Sequence, residues 1–106
     1  MPRGQALCRT GARNGDFIYV SGTVGDAALG LQLVSRPGGL SEDGENRVVE
    51  RLRRPEPRIL LGKALRPWAT AAIDLSDGLA ADLAHLAVAS GGLGAVIEED
   101  RLPLSA

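Results

Sequence analysis

The chain is short of several things that commonly betray function. Cys8 is its only cysteine, so no internal disulfide can close, and the Cys-rich ligand sets of structural zinc are excluded. It has one Phe, one Tyr and one Trp, so a core must be packed from Leu, Val, Ile and Ala. A charge excess is missing too. Twelve basic against 13 acidic residues leave a formal charge of −1, which removes the broad electrostatic attraction of a nucleic-acid binder or of a protein held on an anionic membrane. The opening MPRGQALCRTGARNGD contains no apolar run of signal-peptide length. No stretch elsewhere approaches the roughly 20 apolar residues of a membrane span. These absences favour a soluble protein of the reducing cytoplasm.

What is present is 106 residues, 44% of them apolar. That is one small domain at most, expected to bury roughly 60–65% of the surface of its unfolded chain. Phe17–Ser21, introduced by the turn-forming Asn14-Gly15-Asp16 and closed by Gly22, reads as a strand buried on both faces. Asp26 is a candidate N-cap for a short helix reaching Val34, weakened by Gly30. Residues 35–46, SRPGGLSEDGEN, read as an exposed loop. Helical character resumes over Arg47–Arg53 and over Arg58–Trp68, parted by Pro55 and Pro57. Ala71–Asp74 reads as a second strand. A helix over Gly78–Ser90 follows, with Leu79, Leu83, Leu86 and Ala87 at helical spacing. Gly91-Gly92 stops it, and Gly94–Ile97 reads as a third strand. Strands interleaved with helices predict an α+β domain of mixed α/β layers, its helices packed on a small mixed sheet. Three strands are few for a sheet, so the pattern also predicts that the fold continues beyond this chain.

The richest chemistry lies in Ala71-Ala72-Ile73-Asp74-Leu75-Ser76-Asp77-Gly78-Leu79, where two carboxylates and a hydroxyl fall within four residues at a strand's end. Mg²⁺ takes hard oxygen ligands, commonly one or two carboxylates with phosphates and waters completing an octahedron. Ligand sites in open α/β sheets gather at the carboxyl ends of strands, and a following helix N-terminus favours phosphate. Asp74 and Asp77 are the candidate ligands, and Gly78 would let the backbone come close. A plainer alternative stands beside this: Ser76 or Asp77 caps the helix and Asp74 ends a strand in solvent.

Three colinear segments resemble the thiamine-monophosphate kinase family, within the aminoimidazole-ribonucleotide-synthetase-like ATP-binding superfamily. They are RTGARNGDFIYVSGTVGDAALGL at Arg9–Leu31, RPEPRILLGKAL at Arg54–Leu65, and IDLSDGL at Ile73–Leu79 followed by Asp82-Leu83. The resemblance spans essentially the whole chain. It implies that residues 1–106 are an incomplete C-terminal domain, with an upstream domain and the end of the C-terminal domain absent. It implies Mg²⁺ ligation by Asp74 and Asp77, ATP contacts by Ser76 and Arg9, and no protein nucleophile. ATP and thiamine monophosphate are the implied substrates. The substrate-site residues are expected downstream of Ala106, and a homodimer is expected to form through the upstream domain. A fragment so divided is expected to be inactive alone. The alternatives are a binding or interaction module that keeps the fold without the chemistry, or another superfamily member such as selenophosphate synthetase.

Other features carry less. The glycines of Gly22–Gly30 lack the Gly-Lys-Ser/Thr ending of a Walker loop. His85 shows no partner acid and reads as structural or exposed. Trp68 reads as an anchor of packing. Glu98-Glu99-Asp100 reads as a solvated strand end.

Overall fold

Helix α1 (Asp26–Ser35) begins one residue after Gly25, which holds the N-cap position with φ +89° and no side-chain cap. Asp26 is therefore the first helical residue and not the cap expected from its type. Helix α2 (Glu42–Arg53) starts where a loop was expected. Ser41 accepts the Gly44 N–H at 3.2 Å, with Glu42, Asp43 and Glu45 in the first turn and Arg51 and Arg53 in the last. A capping hydroxyl, acids at the positive end of the helix dipole and bases at the negative end together outweigh Gly44. The exposed loop is thereby shortened to residues 36–41.

The two helices pack directly on each other. Gly30 makes this possible, because a Cβ there would run into the Val48 carbonyl oxygen. Beside it lie Val48, 2% exposed, and Leu33, 7% exposed. The residue that weakens α1 as an isolated helix is the one that lets α2 approach.

The computed structural model describes residues 3–105. They form two compact units: Val20–Pro57 with the residues from Glu98 onward, which contains the α1/α2 pair, and Arg58–Ile97 with the described residues up to Tyr19. The second unit holds α3 (Ile59–Leu65) and α4 (Leu79–Ala89). Arg54–Arg58, containing both prolines, is non-helical as expected, and α4 ends at Ser90 before Gly91-Gly92. In the first unit a single 3₁₀ turn covers Glu99–Arg101, where Arg101 pairs with Glu98 at 2.7 Å.

The expected mixed sheet is not there: among the described residues no strand forms. Phe17–Ser21, Ala71–Asp74 and Gly94–Ile97 contain no helix and meet no neighbouring strand. A strand is defined by repeated pairing with a neighbour, whereas Ala72 has one such bond, its N–H donating to the Cys8 carbonyl at 2.9 Å. Burial fails with pairing. Phe17 is 85% and Tyr19 89% exposed, opposite to the expected two-sided burial. Trp68, at 83%, anchors no packing. The core is aliphatic, as the scarcity of aromatics required, but small.

Area tells the same story. The chain exposes 8444 Å², while a folded monomer of 11.0 kDa exposes about 5600 Å² and its unfolded chain about 16,000 Å². Burial is thus about half of the unfolded surface, below the 60–65% expected of a self-sufficient domain. No helix among the described residues is long and apolar enough to cross a membrane.

Candidate functional site

The carboxylate loop lies between Ile73 and the start of α4. Asp74, Ser76 and Asp77 are all exposed, so two carboxylates and a hydroxyl face solvent within one turn. Gly78, the N-cap of α4, has φ +117°, a backbone conformation that residues with a Cβ rarely adopt. Its role here is to set that bend: the space beside it is open to beyond 4 Å, so no close approach is made within the chain.

What fastens the loop is Asp82, in the first turn of α4 and only 3% exposed. Its Oδ2 accepts the Ser76 N–H at 2.8 Å and the Asp77 N–H at 3.0 Å. These two bonds hold the Asp82 carboxyl below the usual carboxylate range, outweighing burial, with the Gly78 N–H and nearby His85 adding to the effect. A carboxylate that accepts several backbone N–H groups behaves this way. The consequence for binding is direct. The N–H groups of Ser76 and Asp77, which precede the first turn of α4, are taken by Asp82. The loop presents oxygen to a ligand, which suits a cation.

Asp77, Asp82 and His85 place one potential ligand atom each within 4.8 Å of the others. His85 is therefore exposed, as expected, but not without an acidic neighbour. Asp74 belongs to no such group of three among the described residues. The structure thus gathers Asp77 with Asp82 and His85.

Arg9 is exposed, and its backbone is held from the far end of α4. Ser90 Oγ donates to the Arg9 carbonyl at 2.9 Å and accepts the Ala12 N–H at 3.2 Å. A residue further along, Asp16 accepts Thr70 Oγ1 at 2.6 Å and the Arg13 N–H at 2.9 Å, and its carboxyl is lowered by those bonds in that order of size. Together with the Ala72 to Cys8 bond, these contacts lay the Cys8–Asp16 segment against the stretch that leads into the carboxylate loop. Arg9 and the loop are consequently carried by one unit.

No family model matches the chain. It is 51% identical over 106 residues to the thiamine-monophosphate kinase of Salmonella typhimurium, covering 99% of this chain and 32% of that protein. To the enzyme of that name from Caulobacter vibrioides it is 45% identical over 104 residues, covering 98% of this chain and 28% of the other. The crystal structure of thiamine-monophosphate kinase from Stenotrophomonas maltophilia superposes with a TM-score of 0.87 at 47% identity, over 99% of this chain and 34% of that one. The chain is homologous to the thiamine-monophosphate kinases. It spans about a third of the length of the curated relatives it matches.

Two residues that shape this part of the thiamine-monophosphate kinase homologue were given no role by the sequence. Asp82 sits in the IDLSDGL…DL run, and its signal was an acid in the first turn of a helix following a turn with several unpaired N–H groups. Ser90 left only a faint one, a hydroxyl just before a Gly-Gly stop.

Proposed function

We propose that this chain carries part of the metal and nucleotide site of a thiamine-monophosphate kinase, which transfers the γ-phosphoryl group of ATP to thiamine monophosphate, giving ADP and thiamine diphosphate. One observation carries the reading: 51% identity to a relative of that name over 99% of the chain, with all three motif segments inside the aligned region. In this reaction a phosphate oxygen of thiamine monophosphate attacks the γ-phosphorus in line, and the bond from that phosphorus to the ADP oxygen breaks. The acceptor oxygen is already anionic, so no side-chain nucleophile is required. The work of the site is to hold two polyanions together and offset their repulsion.

The donor set fits Mg²⁺: exposed Asp74 and Asp77 with the Ser76 hydroxyl between them, all hard oxygens, on a loop whose N–H groups are turned to Asp82. Mg²⁺ held there would neutralise charge on the ATP phosphates. Ser76 and Arg9 contact ATP, the Arg9 guanidinium offering a fork suited to phosphate oxygens. The residues that recognise thiamine monophosphate lie beyond Ala106, and further carboxylates and the homodimer contact lie in an upstream domain. The reaction runs in the cytoplasm. The large exposed area, 8444 Å², agrees with a chain that is completed by other segments.

The test is a hybrid enzyme in which this chain replaces the matching third of the Salmonella kinase, assayed for thiamine diphosphate. The hybrid is expected to turn over, and Asp74→Asn and Asp77→Asn each to lower kcat by about 100-fold or more. The isolated chain is expected to form no product. Turnover by the isolated chain, or a hybrid indifferent to both substitutions, would sink the proposal.

A further inference from the structure

A charged side chain that is 3% exposed must be compensated or it destabilises the fold. Asp82 is compensated chiefly by backbone: its Oδ2 receives the N–H groups of Ser76 and Asp77. The same two residues keep their side chains exposed, so the loop is held inward by its backbone and presented outward by its side chains. With these two N–H groups committed to Asp82, the backbone that carries the Ser76 and Asp77 side chains is held in one course. Asp82 Oδ2 meanwhile receives two donors, which leaves that oxygen little capacity for a cation, although a carboxylate oxygen of Asp82 lies within 4.8 Å of potential ligand atoms on Asp77 and His85.

We propose that Asp82 is a positioning residue: it locks the Ser76-Asp77 backbone so that the exposed oxygens of the loop are preorganised for a divalent cation, without coordinating that cation itself. The proposal rests on the metal-site reading of Asp74 and Asp77 given above. Preorganised oxygens bind a cation without the ordering cost that a slack loop would add, so loss of the lock weakens binding although no ligand is removed.

The experiment uses the ¹⁵N-labelled 106-residue chain, with Mn²⁺ as the probe, read by paramagnetic broadening and by amide hydrogen exchange. In the parent chain Mn²⁺ is expected to broaden Ser76, Asp77 and Gly78 selectively. Asp82→Ala is expected to speed exchange at the Ser76 and Asp77 amides by about tenfold, the loss of a hydrogen bond to a charged acceptor, and to weaken Mn²⁺ binding at least severalfold. Asp82→Asn keeps an acceptor oxygen and is expected to restore much of both. If Asp82→Ala loses its dispersed amide signals, Asp82→Asn alone carries the test by keeping the amides protected and the affinity near that of the parent.

Unchanged amide exchange in Asp82→Ala overturns the proposal. So does an Asp82→Asn chain whose amides stay protected while Mn²⁺ binding falls as far as in the alanine variant, because Asp82 would then act as a ligand. Failure of the underlying metal reading shows elsewhere: Asp74→Asn and Asp77→Asn would leave Mn²⁺ broadening at the loop unaltered.

Discussion

The two units of this chain each bury one aspartate near a helix start, and they use it in opposite ways. In the α1/α2 unit, Asp26 is 8% exposed and is satisfied by side chains: Ser105 Oγ and Thr23 Oγ1, both at 2.5 Å, with Arg51 at 3.9 Å. It ties the end of the described chain to α1. In the α3/α4 unit, Asp82 is satisfied by the backbone of a loop whose own carboxylates are left exposed. The first aspartate closes a fold and the second shapes a site. The surroundings differ accordingly. Leu33, Val48 and the close approach at Gly30 give the first unit an apolar seam, whereas the second leaves Phe17, Tyr19, Leu60, Trp68, Val88 and Val96 more than 70% exposed and depends on polar fastenings. The second unit thus leaves large apolar side chains uncovered within this chain.

The hardest blow to this contrast would come from Gly30→Ala. In an ordinary helix interior the change stabilises by about 1 kcal/mol. Here the added methyl meets the Val48 carbonyl, backbone that cannot swing aside as a side chain would. We expect the sign to reverse, with a net loss of about 1–3 kcal/mol as the helices are forced apart, seen in thermal melts followed by circular dichroism. A stabilised variant would show that the α1/α2 seam is loose and that the two units do not differ in packing.

Next in size is Asp26→Asn. The Ser105 hydroxyl, and then that of Thr23, hold the Asp26 carboxyl below its ordinary 3.8, against the opposing effect of burial and with help from Arg51 and Arg47. A group whose folded value is depressed contributes stability that is fully present above its unfolded value and disappears as pH falls through the folded one. The parent should therefore be more stable than Asp26→Asn by about 1–2 kcal/mol at pH 6, and the gap should close below pH 3.8. Melts of both chains from pH 2 to pH 7 test this. A gap independent of pH would mean that Asp26 acts through shape and not through charge.

How much of this was legible beforehand depends on whether the signal was local. The helices were, because Leu79, Leu83, Leu86 and Ala87 repeat at helical spacing and the prolines and Gly91-Gly92 mark boundaries. The start of α2 was written in Ser41 and the acids after it, but Gly44 and the glycines before them masked it. The strands were misread because a β-branched run states only that a segment suits a sheet; pairing requires a partner distant in sequence, and Phe17–Ser21 has none among the described residues. The same reason undoes Trp68, since burial of an aromatic depends on what is brought to it. Asp74, Ser76 and Asp77 were legible as oxygen donors. Asp82 was legible only as an acid in the first turn of a helix, because which backbone N–H groups it would receive is not written in side-chain types.

The smallest expected effect, and the finest test of the contrast, concerns Ser90. One hydroxyl both donates to the Arg9 carbonyl and accepts from the Ala12 N–H across some eighty residues of sequence, and it does so at the end of the helix whose start holds the loop. Ser90→Ala removes both bonds while costing little in helix propensity at a C-cap. The half-buried setting lets water replace part of what is lost, so we expect a destabilisation of about 1 kcal/mol. If fastening in this unit is polar and local, the loss should appear as faster amide exchange at Ala12, while exchange at Val48 in the apolar seam stays unchanged. Ser90→Thr, which retains the hydroxyl, should recover most of the protection. Equal loosening at Ala12 and Val48 would mean that the two units unfold as one, and the division between a folded seam and a presented site would then have to be abandoned.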